Sequence, residues 1–430
     1  MKNKTYLDNL LESWGEVLDS DKLGAPIAKN DRYRRIATAQ LLENTKNESV
    51  KNPGDFCSLT ESAPTNNIGG GNLATYDPIL MNMVRRATPN MISHEIMGTQ
   101  TLTMPTGLIF AIKSRYTSQT GTEALFNEDN TGFTGTGTHA GNNPVSGTYT
   151  TGTGMSTAVA EALGDGVGAD FQEMAFSIEK VTVSVGSRAL KASYSQEVAQ
   201  DMKSVHNLDV DTELGNIVTL ELLSAINREL IRTVYRIATP GAQYGTATAG
   251  TFDLNTDSNG RWMEERFKGL HFFAAREANA IAKATRRGRG NIIICSSDVA
   301  EALAFAGKMT YSPEFNTSMG NVDDTGNTFL GVLNGRYKIF IDPFFGGSAS
   351  GNEFMLVGYK GSIPYDAGMF YCPYVPLMIS RAVDPKTYQP SFAFKTRYGL
   401  VGNPFYGATP GALTSNTNPY YRKVLIQSLT

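Results

Sequence analysis

Charge is scarce in this chain. Lys, Arg, Asp and Glu make up 18% of its 430 residues, against roughly 25% in an ordinary globular domain. The 38 basic and 41 acidic side chains nearly cancel, leaving a formal charge of −3. A general polyanion binder carries a clear cationic excess, so that class is excluded. Cysteine is almost missing: Cys57, Cys295 and Cys372 are odd in number and far apart. They fit no disulfide framework and point to a reducing compartment. Histidine is limited to His94, His139, His206 and His271. None stands at HxxxH spacing and no CxxC occurs, so a structural zinc site is not expected. Long apolar runs are lacking too. No stretch approaches the ~18 residues of a membrane span, and the most apolar one, 369–379, is broken by Pro373 and Pro376. The opening MKNKTYLDNLLESW has lysines but no apolar core, so a secretory signal is not expected.

Catalytic signatures are equally thin. There is no GxSxG elbow and no Walker A; Gly307-Lys308 is followed by Met309 and the leading Gly is missing. GDGVGAD at 164–170 follows no strand and lacks spaced Asp ligands. The acidic pairs Glu128/Asp129, Glu264/Glu265 and Asp323/Asp324 are adjacent in sequence and read as solvated surface. A hydrolase with a dispersed triad is the residual enzyme reading. The expectation is a protein that is no enzyme and holds no cofactor and no metal.

What the chain does have is 43 Gly, 40 Phe plus Tyr, and 41% hydrophobic residues. That suffices for two or three domains with a sizeable core. Sparse charge on such a chain suggests a surface covered by further copies of itself. Leu7, Leu10, Leu11, Trp14, Val17 and Leu18 line one helical face, and a second helix is expected over 31–48. Each is too short to stand alone, so both need a partner surface, either the main domain's core or another molecule. Residues 62–78 read as a linker. In 131–154, fifteen of 24 residues are Gly or Thr, which predicts a long exposed β-loop that contacts a neighbouring chain.

VTVSV at 181–185 predicts a strand with one buried face, and a helix is expected over 194–206. The strongest helical stripe runs from 209 to 238, from Val210 to Ile237, with Pro240 and Gly241 as its stop. Further helices are expected over 263–284 and to 306. The latter has Ser296, Ser297 and Asp298 available to cap it and Asp298/Glu301 in capping-box spacing. NIIIC at 291–295 and EFMLVGY at 353–359 predict strands, Asn334-Gly335 a hairpin turn, and YYRKVLIQSL a final strand. Strands and helices segregate, so the fold class is α+β. Arg286, Arg287 and Arg289 carry two readings, a basic end complementing the preceding helix dipole or an inter-subunit or DNA-facing contact. Arg85 and Arg86 divide in the same way between a neighbouring chain and solvent.

Several segments resemble the major capsid protein of T-even-like tailed bacteriophages. They are MVRRATPNMISHEIMGTQTLTMPTG at 83–107, LKASYSQEVAQDMKSVHNLD at 190–209, INREL at 226–230, GRGNIIICS at 288–296, GVLNGRYKIFIDPF at 331–344, VGYKGSIPYDAGMFYCPYVPL at 357–377, and DPKTYQP with FKTRYGLVGNPF at 384–405. They run in family order and cover nearly the whole chain outside 110–175. The resemblance implies the Hong-Kong-97-type capsid fold. Its parts would be a helical prosegment (1–61), an N-terminal arm (62–105), an E-loop with the Gly/Thr-rich flap (106–176), a peripheral domain with a spine helix at 209–238 (177–264), an axial domain (265–368), and a return to the peripheral domain (369–430).

The resemblance also implies a function. The chain would form hexamers in an icosahedral or prolate shell around packaged double-stranded DNA, located in the virion and, during assembly, in the host cytoplasm. Its partners would be further copies of itself, a vertex capsid protein, scaffold or core proteins, a maturation protease, the portal, decoration proteins, and DNA held non-specifically, with no membrane. Maturation cleavage would fall between Glu61 and Ser62, with Leu59 and Glu61 as the recognition pair. The family's best-known members carry a larger insertion domain near the E-loop; here that region is short and Gly/Thr-rich, so an extended loop reaching a neighbour is expected in its place. Removal of residues 1–61 would leave 29 basic against 31 acidic residues and two cysteines. The alternative reading is an encapsulin-like compartment shell.

Overall fold

The computed structural model describes residues 6–19, 31–51, 91–307 (apart from 127, 142, 146, 165–169, 259 and 261), 309–311, 328–344, 353–406 (apart from 364, 385 and 387) and 409–429. The expected cleavage residues Leu59, Glu61 and Ser62, the linker at 62–78, and Arg85 and Arg86 lie outside the described residues. The chain divides into two compact units, one of residues 1–107 with 182–430 and one of residues 108–181.

The larger unit is α+β. The elements of its N-terminal part are α1 (Tyr6–Ser13), α2 (Gly15–Asp19), α3 (Arg32–Lys51), α4 (Ser93–Ile96) and β1 (Gly98–Thr99). Strands β2 (Thr106–Tyr116) and β3 (Met174–Ser184) lead to and from the smaller unit, which contains α5 (Thr157–Glu161). Then follow β4 (Gly186–Ser193), α6 (Gln196–Val205), α7 (Val210–Ile237), β5 (Ala238–Pro240), β6 (Thr251–Asp253), α8 (Met263–Thr285), β7 (Ile292–Cys295), α9 (Ser297–Ala306) and β8 (Met309–Tyr311). The chain closes through β9 (Thr328–Leu333), β10 (Tyr337–Ile341), β11 (Glu353–Gly358), β12 (Met369–Val383), β13 (Pro390–Gly402) and β14 (Asn418–Gln427).

One sheet runs β5-β14-β11-β7-β10-β9-β8 with β6 beside β14; another runs β1-β12-β13-β4. The centre of the first is β7, whose Ile292–Cys295 are buried on both faces between parallel β10 and antiparallel β11. A central strand covered on both sides loses the polar alternation of an edge, which is why NIIIC is a continuous apolar run. The Asn334-Gly335 turn joins β9 to β10 with both residues at positive φ (52° and 65°), matching the twist of the ribbon it closes. Helix α8 packs on this sheet through Leu270, Phe273, Ala274, Ala278 and Ile281, all buried. Its Glu277 is buried and meets Arg422 of β14 at 2.6 Å.

Gly290 fills a tight gap between α8 and β11. A Cβ there would lie 2.9 Å from Val357 Cγ1 and 3.1 Å from Ala278 Cα. Gly290→Ala is therefore expected to destabilise the subunit by roughly 1–3 kcal/mol, read from chemical denaturation.

Two expectations need correction. The α9 N-cap is Ser296, so the helix begins before Asp298 and the Asp298/Glu301 capping box does not form. The first helix is interrupted at Trp14 into α1 and α2, and Trp14 donates its indole N–H to Glu43 of α3 at 2.9 Å. The prolines in 369–379 sit inside a strand: β12 shifts register against β13 between Pro373 and Val375 and again before Met378. Those irregularities absorb the missing N–H groups. The N-terminal segment packs on the chain itself, α3 lying against β12.

Candidate assembly surfaces

The smaller unit is built on a ribbon. Its ends are fixed by the bonds from Val185 N to Pro105 O and from Thr117 N to Glu173 O, which make β2 and β3 antiparallel. Strand geometry puts alternate residues on opposite faces. One face carries Lys113 and Arg115, which hold Glu179 at 2.9 and 3.1 Å. The other carries Leu108, Phe110 and Ile112 from β2 and Met174, Phe176 and Ile178 from β3, between 44% and 67% exposed. Scattered exposed apolar residues are ordinary, but six on one ribbon face form a patch of the kind that marks an interaction surface.

Beyond the ribbon, the Gly/Thr stretch folds back on itself through bridges Thr136–Thr153 and Ala140–Thr150. Tyr116 packs on Phe133 with ring centres 4.5 Å apart. Gly141, at φ +86°, leaves no room for a side chain: a Cβ would sit 1.9 Å from Thr148 O. Residues 108–181 hold 3 basic and 8 acidic residues. Outside this unit and residues 1–61 the balance reverses, with 26 basic against 23 acidic.

The larger unit has a basic groove of about 960 Å³ lined by Arg188, Arg228, Arg232 and Arg236 with Glu229 and Tyr398. Arg228, Arg232 and Arg236 recur every four residues on α7, about 6 Å apart along its axis. Arg188 reaches Glu229 at 2.5 Å, and Tyr398 donates its hydroxyl to the same carboxylate. Burial, then the hydrogen bond to Glu229, raises the Tyr398 pKa and keeps it a donor. Arg228 meets Asp342, whose side chain is fully buried, at 2.7 Å, and Tyr235 donates to Asp342 at 3.1 Å. Desolvation and the Asp342 charge push Tyr235 upward. These two clusters tie α7 to β4, β13 and the end of β10, while Arg232 and Arg236 stand exposed in the groove.

Of the arginines singled out in the sequence, Arg286 closes α8 in the left-handed region (φ 55°) and is exposed. Arg287 lies 5.4 Å over the Phe405 ring and Arg289 5.8 Å over the Tyr337 ring. The last two therefore have intramolecular partners. Among the described residues no His, Cys, Asp and Glu side chains group as a metal site, and no helix is long and apolar enough to cross a membrane. Sequence reasoning missed both the apolar ribbon face and the arginine row. The period-2 pattern Leu108, Phe110, Ile112 and the period-4 pattern Arg228, Arg232, Arg236 were the available signals.

Residues 73–426 match the family described as Major capsid protein Gp23. The chain is 34% identical over 461 residues to the major capsid protein of Salmonella phage ViI, covering 100% of both. It is 30% identical over 523 residues to that of Enterobacteria phage T4, covering 98% of each. It is 23% identical over 243 residues to the T4 capsid vertex protein, covering 54% of this chain and 53% of the relative. Among solved structures, the capsid of Myoviridae phage XM1 aligns at TM-score 0.40 and 10% identity, covering 77% of this chain and 88% of that one.

Proposed function

This chain belongs to the Gp23 major capsid protein family, whose members form the phage head shell, and from that premise we propose that it builds the shell as hexamers, held by its apolar ribbon face and by charge exchange between copies. The observation that carries this reading is the exposed row Leu108, Phe110, Ile112, Met174, Phe176 and Ile178. Burying a side chain of that size contributes about 1.5–3 kcal/mol, and closed symmetry repeats the gain at every subunit. The acidic 108–181 unit and the net-basic remainder add complementary fields between neighbouring copies, which favour correct register over raw affinity. The protein acts structurally and catalyses no reaction. Full-length identity to phage major capsid proteins disfavours the encapsulin-like alternative.

In this reading residues 62–105 form the arm, 106–176 the E-loop with its flap, 177–264 and 369–430 the peripheral domain, and 265–368 the axial domain. A separate vertex protein makes the pentamers. Scaffold or core proteins, portal, maturation protease and decoration proteins complete the set of partners. The near-neutral inner wall neither holds packaged DNA tightly nor repels it. Electron microscopy of the expressed, purified chain tests the central claim: hexamers, tubes or shells are expected, and a stable monomer at high concentration overturns it.

Residues 1–61 are the piece removed on maturation, cut between Glu61 and Ser62 after the Leu59–Glu61 pair. Intact-mass measurement on protein from mature heads should find a chain starting at Ser62. A chain starting at Met1 refutes the processing step.

A further inference from the structure

The N-terminal helical segment is seated unlike a core element. Among the described side chains of α3 the buried residues are mostly small or polar, Ala37, Thr38, Ala39, Gln40, Asn44 and Thr45, with Leu41 and Leu42 as large apolar ones. Asn44 anchors the helix by donating its amide to Leu102 O at 2.6 Å and Tyr374 O at 3.0 Å. Helices α1 and α2 ride on α3 through Trp14–Glu43, Arg32–Asp8 (2.9 Å) and Arg35–Asp19 (2.6 Å). A seat held by hydrogen bonds that water can replace opens more readily than one held by apolar burial.

The first turn of α3 closes over a cavity of about 410 Å³ lined by Asp31, Arg34, His94, Glu95, Lys338 and Lys360. His94 sits at its base, its Nδ1 3.3 Å from Thr99 Oγ1, and Lys360 donates its ammonium to the His94 carbonyl. Lys338 pairs with Glu95 at 2.6 Å.

We propose that residues 32–47 and the face they cover form a separable interface that opens when His94 takes a proton, making the N-terminal helical segment a proton-sensitive cap. The charges facing His94 are Arg34 and Asp31 from the α3 side, Glu95 from its own helix, Lys338 from β10, and Lys360 from the loop after β11. A protonated imidazole adds a fourth cation to three, against two carboxylates, in a groove where His94, Arg34, Glu95 and Lys360 are half-buried and Asp31 and Lys338 are exposed. Undocking lets solvent in and takes Arg34 away. Burial first, then Arg34 and Lys360, push the His94 pKa from 6.5 down to about 3, with Glu95 opposing.

Undocking removes Arg34 and part of the burial while Lys360 and Glu95 stay, so the docked form has the lower His94 pKa and docking weakens as pH falls below the open-form value. With an open-form pKa of at most about 6.5, the docking equilibrium weakens by up to roughly tenfold between pH 7.5 and 5.5. This goes beyond the shell reading and is independent of cleavage after Glu61.

The test uses the uncleaved, unassembled full chain. Hydrogen–deuterium exchange, corrected for the intrinsic effect of pH, is followed in 32–47 between pH 7.5 and 5.5. Trp14 fluorescence is read alongside; Trp14 is buried and the only other tryptophan, Trp262, is exposed. The expected result is a loss of protection of up to about tenfold, confined to the cap and absent in His94→Gln, which cannot take the proton. An equal loss in His94→Gln, or none in the natural chain, overturns the proposal. Should His94→Gln misfold, imidazole C2–H exchange in the natural chain decides: a His94 midpoint well below 6.5 supports the cap, and ordinary titration with 32–47 still protected overturns it.

Discussion

Replacing Phe110 and Phe176 together with aspartate should give a folded, soluble subunit that no longer forms capsomers or shells. Both side chains are 62% exposed in the isolated chain, so their loss removes little from the fold, and the melting temperature should change only slightly. In the assembled state each copy would have to bury two new charges. Burying an unpaired carboxylate costs far more than the lost apolar burial, and the penalty recurs at every symmetry-related contact. Sedimentation velocity and electron microscopy at matched concentration read the outcome. Normal shells from the double variant would remove the ribbon face from the assembly surface. Lys113→Ala on the opposite face is the control: it leaves Arg115 on Glu179 and should assemble.

Asp342→Ala should lower subunit stability by about 3–5 kcal/mol, the range for stranding one partner of a buried ion pair. The Asp342 side chain is fully buried and receives the Arg228 guanidinium, the Tyr235 hydroxyl and the Phe344 backbone N–H. Without it a half-buried cation and a half-buried hydroxyl lose their acceptor together. Tyr235→Phe removes a single hydrogen bond and should cost only about 1 kcal/mol. Urea titrations of unassembled protein measure both. Similar losses for the two variants would mean that Arg228 finds another acceptor and that the cluster is not what joins α7 to the sheet.

The secondary elements were largely legible because their signals are local. The stripe from Val210 to Ile237 marks α7, and Asn334-Gly335 marks the β9–β10 turn through residues that tolerate positive φ. Strand β12 was not legible, because Pro373 and Pro376 argue against a strand until register shifts against β13 accommodate them. The ribbon face was hidden for a different reason. Alternation says that Leu108, Phe110 and Ile112 share a side, but the neighbouring Ile109 and Ala111 are apolar too. Nothing local says which side remains open.

The arginines divide along the same line. Arg286, Arg287 and Arg289 stood out as a run. Two of them lie over the Phe405 and Tyr337 rings of the same chain, contacts that span long sequence separations. Arg228, Arg232 and Arg236 attract less notice in sequence, yet helical geometry gathers them into one groove with Arg188.

By itself the sequence determined the class of the protein: too little charge for a polyanion binder, no catalytic or metal pattern, an α+β order of elements, and segments that resemble one capsid family. These follow from composition and from residues close in the chain. Only the tertiary structure decided which apolar face stays open, that Asp342 is the buried anchor of α7, and that α3 is seated on β12 over His94. Each of those depends on burial and on pairs far apart in sequence, from 64 residues for Arg115 with Glu179 to 330 for Asn44 with Tyr374. A residue's burial is a property of the packed chain, and local sequence carries no direct measure of it.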